Sequence, residues 1–239
     1  MIDPVQLYAW HFMSYPHLPA DFDEKYDSGW VTVPNKLWDK DRSRGLLNTY
    51  IDQLAYADEL GFDGMVLNEH HQNIYGLMPS PNIIAAALTQ RTKRGKIVVL
   101  GNLLPLHANP LRVAEEYAMI DNMSDGRLIA GFAPGSGPET FNYNVASAPS
   151  RDQFWEAVDL IRQAWTREGP FMFEGHHYPL RYVNHGRNRR NGLIQTSGFQ
   201  APARATRSRR SPKTDTATSC PRAATARTQQ RLLIVLPTR

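Results

Sequence analysis

The sequence predicts an α/β fold in which short parallel strands alternate with amphipathic helices as far as about residue 184. Four short runs rich in β-branched and aromatic residues are each followed by a stretch whose apolar residues repeat at helical spacing. The third run, residues 96–104, is apolar almost throughout, which is typical of a strand buried on both faces. This alternation indicates βα units around a parallel sheet.

The predicted elements follow one another with clear boundaries. The predicted strands are residues 5–10, 62–68, 96–104 and 127–132, and the predicted helices are residues 47–60, 82–91, 110–122 and 152–167. Gly61 stands where a helix C-cap belongs, and Asp125-Gly126 predicts the turn before the fourth strand. Residues 21–44 form a long polar loop, and the aromatic residues of 171–182 predict a hairpin. Four βα units are half of what a closed eight-stranded barrel needs.

The composition argues against membrane and secreted classes. A hydrophobic fraction of 41% with 10% aromatic residues is enough for a sizeable core, yet no apolar stretch approaches the roughly 20 residues that span a bilayer. The N-terminus lacks the basic-then-apolar order of a signal peptide. The single cysteine, Cys220, cannot form an internal disulfide. The sequence therefore predicts a cytoplasmic protein.

Charge is distributed unevenly along the chain. Residues 185–239 hold 12 of the 27 basic side chains and one of the 23 acidic ones, so 15 basic and 22 acidic side chains remain before them, a net charge of −7. This tail, rich in Arg, Ala, Thr and Ser, is predicted to be disordered. The sharp change after Asn184 indicates a truncation or a shifted reading frame, or else a native extension. A nucleic-acid function would rest on the tail alone, which lacks interleaved aromatic residues for base stacking.

The triplet Glu69-His70-His71 directly follows the second predicted strand. Barrels carry their catalytic groups at the C-terminal ends of strands, so the triplet is the first candidate for chemistry. A metal site is disfavoured, because adjacent histidines in extended chain point to opposite sides. The alternative is a hydrogen-bonded pair with a structural role at the start of a loop.

Four segments in fixed order resemble the luciferase-like flavin-dependent monooxygenase family. They are residues 61–64 leading to 69–71, residues 103–107 with 109–112, residues 121–127, and residues 131–135. Each motif is modest alone, but four in order are specific. The resemblance covers roughly residues 5–183 and implies a TIM (β/α)8 barrel of which only the first four to five βα units are present.

The resemblance also implies a cofactor and a reaction. Members of the family bind reduced flavin non-covalently, most often FMN, which a separate flavin reductase supplies, and a deazaflavin is the alternative. Reduced flavin reacts with O2 to give a peroxyflavin that oxidises an organic substrate, while the protein orients the reactants and excludes water. The implied substrate is a small organic molecule such as an aldehyde, alkane or sulfonate.

By this resemblance, His70 matches a proton-transfer group near the flavin, and imidazole titrates close to neutral pH. Glu69 either orients the histidines and closes the rim or forms a salt bridge to a neighbouring loop. His71 and His107 are candidates for the substrate pocket, although His107 is equally well explained as a loop histidine.

Further candidates lie near the ends of the third and fourth strands. Gly101 and Asn102 match positions that contact the isoalloxazine ring, although an Asn at a strand end also often satisfies backbone groups. The small residues Gly131, Ala133 and Gly135 permit close approach of the backbone to a planar ring. From the loop that follows, Tyr143 is a candidate for flavin contact.

The chain is expected to depart from the family after Asn184. Members continue with a fifth strand whose small and hydroxyl residues bind the flavin phosphate, and this anchor is predicted to be absent. A second hypothesis is therefore a non-catalytic remnant. An open half-barrel exposes two sheet edges and apolar strand faces, which favours misfolding or association into homo-oligomers.

Overall fold

The computed structural model describes residues 5–74, 76–146, 148–185, 194–196 and 233–236, the last two as backbone only. The strands are β1 (Gln6–Trp10), β2 (Gly64–Leu67), β3 (Lys96–Leu103), β4 (Leu128–Ala133), β5 (Phe171–Phe173), β6 (Leu180–Val183), β7 (Ile194–Thr196) and β8 (Leu233–Leu236). The helices are α1 (Phe22–Lys25), α2 (Leu46–Glu59), α3 (Pro81–Arg91), α4 (Leu111–Met123), α5 (Gly137–Asn142) and α6 (Ser150–Thr166). Two short 3₁₀ turns cover Asn35–Leu37 and Leu104–Leu106.

A six-stranded sheet of order β7-β4-β3-β2-β1-β8 organises the described part of the chain. Strands β1 to β4 are parallel neighbours in chain order, β7 adds to β4 in parallel, and β8 pairs antiparallel with β1. The predicted α/β fold with a parallel sheet is thus confirmed, and the four predicted strands and four predicted helices lie within two residues of their expected bounds. Its identity as part of a closed barrel stays a prediction.

Three segments extend or refine the predicted pattern. Strands β5 and β6 form an antiparallel pair where a hairpin was predicted. The chain was expected to depart from the family before a fifth strand, after Asn184, but β7 pairs in parallel with β4 and takes that place in the sheet. Its three residues are too few to show a strand pattern in the sequence. Strand β8 covers the edge of β1. The predicted disorder of the tail otherwise concerns residues 186–193, 197–232 and 237–239, which lie outside the described residues.

The helices pack on one face of the sheet and create the main core. Met65 and Leu67 of β2 point into this core, while Val66 between them joins a smaller cluster on the opposite face. Side chains on both faces of β2 are buried, and the same holds for β3, whose apolar run predicted it. Each such side chain contributes about 1.5–3 kcal/mol when removed from water. No helix among the described residues has the length and apolar character of a membrane span.

We call the face opposite the helices the second face. Its cluster contains Tyr8, Val66, Val98 and Ile129, with Trp10 and Leu100 packed against it. Gly64 makes room for this packing, because a Cβ atom there would lie 2.8 Å from the ring of Tyr8. The second face is therefore filled by apolar side chains in its middle, below the C-terminal ends of the strands.

Strands β3 and β4 come unusually close near their C-terminal ends. A Cβ atom on Gly131 would lie 2.1 Å from the carbonyl oxygen of Val99, and one on Gly101 would lie 2.6 Å from the amide nitrogen of Phe132. The strand register shifts between Val99 and Asn102 at this point, and the Leu100–Gly101 peptide is cis. Only glycine fits at positions 101 and 131 with this backbone.

Candidate active site

The residues predicted to carry chemistry meet at one edge of the sheet. Glu69, His70 and His71 leave the C-terminal end of β2, and the Glu69 carboxylate accepts a 3.1 Å hydrogen bond from the backbone N–H of Leu103 at the end of β3. Asn102 pairs in register with Phe132 of β4. The C-terminal ends of β2, β3 and β4 thus form one rim, which is where barrel enzymes carry their active sites.

His70 is held by a buried carboxylate from the segment after β4. Its Nδ1 lies 2.9 Å from Oε1 of Glu139, a residue of α5 that is 1% exposed, and the Ser136 hydroxyl donates to the second carboxylate oxygen. Burial alone raises the pKa of Glu139, but the hydrogen bonds from His70 and Ser136 outweigh it and lower the pKa to about 2. Glu139 is therefore an anion at neutral pH and fixes the orientation of the imidazole.

Aromatic rings enclose the other sides of His70. The Phe12 ring lies parallel to the imidazole at 6.1 Å, and Trp30 meets it edge-on at 5.1 Å. The backbone of Gly76 also packs tightly against His70, since a Cβ atom at position 76 would lie 2.7 Å from the Cβ of His70. Within the described residues Nε2 of His70 has no hydrogen-bond partner, so this nitrogen is available to exchange a proton with a ligand.

His71 belongs to a separate hydrogen-bonded chain. Its Nε2 lies 2.7 Å from Oε1 of Glu69, and its Nδ1 lies 2.8 Å from the Tyr143 hydroxyl. One arrangement of protons satisfies both contacts: Nε2–H donates to the carboxylate and the phenol donates to Nδ1. Glu69 therefore orients only one of the two histidines it was expected to orient, and the Tyr143 hydroxyl, predicted to approach flavin, is engaged with His71.

His107 lies at the same rim, but its ring makes a longer contact with Glu69 than the ring of His71 does. Its Nε2 is 4.0 Å from Oε1 of Glu69 and is buried without a hydrogen-bond partner. Burial lowers the pKa of His107, although the negative charge of Glu69 opposes this effect, so the neutral ring is favoured.

Among the described residues no cluster of His, Cys, Asp and Glu is arranged to hold a metal ion.

The side chain of Asn102 is used inside the protein. It is 1% exposed, and its amide donates 2.9 Å hydrogen bonds to the Asn82 carboxamide and to the Tyr117 hydroxyl. Tyr117 in turn donates to the carbonyl of Gly131 at 2.8 Å. Asn102 thus joins β3 to helices α3 and α4 and to β4, and it presents only its backbone to a ligand at the rim.

The small residues near 131–135 build the backbone of the rim. Gly101 and Gly131 allow β3 and β4 to approach, as described above, and Ala133 is the last residue of β4. Gly135 has a φ of +84°, which turns the chain toward α5. These positions therefore have a structural reason to be small, independent of any ring that lies against them.

Sequence reasoning missed helix α5 and Glu139 within it. The available signal was the pattern Ser136-x-x-Glu139 with Pro138 between them, which is typical of a helix N-terminus. In the structure the glutamate turns toward His70 instead of capping the helix. Tyr143, expected in a loop, is the C-cap of α5.

Comparisons with known proteins identify relatives of this chain. The family model described as luciferase-like monooxygenase matches residues 29–194. The β chain of alkanal monooxygenase from Vibrio harveyi is 33% identical over 128 residues, which is 53% of this chain and 39% of that protein. The 3,6-diketocamphane 1,6-monooxygenase of Pseudomonas putida is 26% identical over 146 residues, or 55% of this chain and 38% of that enzyme.

A solved structure shows the same fold. The oxygenating constituent of 3,6-diketocamphane monooxygenase from P. putida, in complex with FMN, superposes with a TM-score of 0.54 at 25% identity. The match covers 59% of this chain and 39% of that chain. The chain spans about two fifths of the length of the curated relatives it matches. The family match covers more than half of this chain, which therefore belongs to the luciferase-like monooxygenase family.

Proposed function

We propose that the rim at the ends of β2, β3 and β4 binds reduced FMN and that the chain is part of an FMN-dependent monooxygenase acting on a small organic ketone or aldehyde. The observation that carries the proposal is the pairing of His70 with the buried Glu139 at 2.9 Å, which leaves Nε2 for proton transfer. The related diketocamphane enzyme was solved in complex with FMN, which supports this choice of cofactor.

Unpartnered polar atoms at the rim fit a flavin. Nε2 of His107 and both amide atoms of Asn68 are buried without hydrogen-bond partners, and flavin carries donors and acceptors that such groups can bind. When bound, reduced FMN would supply the electrons that activate O2, and a separate flavin reductase would renew it.

The protein's own groups control protons and water. His70 Nε2 gives or takes a proton at the ligand, and Glu139 stabilises the imidazolium that forms. The rings of Phe12 and Trp30 pack against the imidazole and reduce its contact with water. The His71–Glu69 pair anchors Tyr143 and hence the end of α5, so it holds Glu139 in place behind His70.

Equilibrium titration of FMN with the full chain tests the proposal. We expect saturable quenching of flavin fluorescence at one FMN per chain, with the deazaflavin F420 as a competitor that shows which ring system is preferred. The chain unfolded in denaturant is the control for non-specific quenching. Fluorescence that changes no more with the folded chain than with the unfolded one would contradict the proposed function.

Replacing Glu139 by glutamine tests the charge behind His70. A carboxylate whose pKa is lowered from 4.5 to about 2 contributes stability that is fully present above pH 4.5 and is lost as the pH falls toward 2. We expect Glu139→Gln to lower the free energy of unfolding at pH 7 by about 1–3 kcal/mol. The difference from wild type should shrink as the pH falls from 4.5 toward 2 in denaturant titrations. The exposed Glu59→Gln is the matched control and should show neither effect.

A further inference from the structure

Two side chains near the candidate active site have buried polar atoms that make no hydrogen bond. Asn68 is 4% exposed, and neither its Nδ2 nor its Oδ1 makes a hydrogen bond; Nε1 of Trp10 is likewise buried and unpartnered. Asn82 and Asn102, buried to the same degree, are fully hydrogen-bonded. A buried amide left unpaired destabilises the fold, so Asn68 needs an explanation beyond packing.

Strand geometry places both groups on the second face. Trp10 pairs in register with Val66, which belongs to the apolar cluster there, and Trp10 packs against that cluster. Residue 68 follows two positions after Val66 in extended chain, so Asn68 falls on the same face at the C-terminal end of β2. The polar groups therefore lie at the top of the apolar cluster.

A stack of rings connects this place to His70. The Trp10 ring lies on Phe12 at 4.8 Å with an interplanar angle of 19°, and Phe12 is parallel to His70 at 6.1 Å. The unpartnered groups and the proton-transfer nitrogen thus border the same part of the rim. A ligand that touches His70 and extends over the second face meets Asn68 and Trp10.

We propose that Asn68 and Trp10 bind the pyrimidine edge of the flavin, an inference that rests on the proposed function. Amide and indole groups carry no charge, so they select a neutral ligand edge with donors and acceptors side by side. The pyrimidine edge offers one N–H between two carbonyl groups. Asn68 can accept from the N–H and donate to one carbonyl, and the Trp10 N–H can donate to the other.

Replacing Asn68 by leucine separates a ligand-binding amide from a structural one. Removing an unpaired amide breaks no hydrogen bond in the folded protein. The free energy of unfolding of ligand-free Asn68→Leu should therefore equal or exceed that of wild type. Its Kd for FMN should rise on the order of 10-fold or more, the effect of losing hydrogen bonds to a buried ligand. Asn102→Leu is the matched control and should be clearly less stable than wild type. Trp10→Phe keeps the ring, removes the N–H and should also weaken FMN binding.

Flavin methylated at the pyrimidine N–H completes the test. Wild type should bind 3-methyl-FMN on the order of 10-fold more weakly than FMN, whereas Asn68→Leu should bind the two alike. Equal FMN affinity of wild type and Asn68→Leu would overturn the inference. So would a wild type that binds FMN and 3-methyl-FMN equally well. A loss of stability in Asn68→Leu as large as that in Asn102→Leu would overturn it too. Failure of wild type to bind FMN at all instead overturns the proposed function itself, and the inference with it.

Discussion

Replacing His70 by glutamine should lower the rate of product formation about 10²- to 10⁴-fold, the usual contribution of a positioned acid–base group. The amide can still hydrogen-bond to Glu139, but it cannot give a proton to the ligand or take one from it. The measurement is turnover with reduced FMN, O2 and a panel of cyclic ketones and straight-chain aldehydes. FMN affinity should change only a few-fold, because the glutamine occupies nearly the same space.

His176→Gln is the matched control, because His176 is an exposed histidine between β5 and β6. Its turnover should equal that of wild type. If His70→Gln retained wild-type turnover on a substrate that wild type oxidises, His70 would have no part in proton transfer. A loss of turnover that came with an equal loss of FMN affinity would show a binding role instead.

The second large effect is expected at Gly131, where a methyl group has no space. A Cβ atom would lie 2.1 Å from the Val99 carbonyl oxygen, which belongs to the backbone of a buried strand and cannot turn aside. We expect Gly131→Ala to lower the free energy of unfolding by about 4 kcal/mol or more, or to prevent folding. Denaturant titration followed by circular dichroism measures this change.

Gly137→Ala provides the control, because nothing lies within 4 Å of a Cβ atom at that position. Its stability should stay within about 0.5 kcal/mol of wild type, as is usual for substitutions outside packed regions. A Gly131→Ala chain as stable as wild type would mean that β3 and β4 do not approach each other as described. The rim would then not be shaped by close packing of these two strands.

The regular elements of this fold could be predicted because each is encoded locally. Alternation of buried and exposed positions along α2 and the apolar run of β3 are visible in a short window of sequence, and both elements were found near their expected bounds. Helix α5 was not predicted, since six residues that begin with Gly137-Pro138 are too few to show a helical period. Strand β8 comes from the far end of the chain and pairs with β1. A short window of sequence cannot predict a pairing between such distant segments.

The site was predictable in position but not in its pairings. Glu69, His70 and His71 were expected at the end of β2, and they lie there. The sequence could not show that the carboxylate behind His70 is Glu139, because 69 residues separate the two. For the same reason the engagement of Asn102 with Asn82 and Tyr117, which come from two different helices, was not foreseen.

The most direct test of the account is to map FMN binding on the full chain by ¹⁵N–¹H NMR. If a flavin lies against the rim, adding FMN should shift the amide signals of residues 68–71, 101–103 and 131–143, and those of Glu139→Gln should respond at the same residues. Signals on the helix-covered face, such as those of residues 46–59, should stay in place. Shifts confined to the basic residues after 185, or spread evenly over both faces, would contradict a flavin site at the rim.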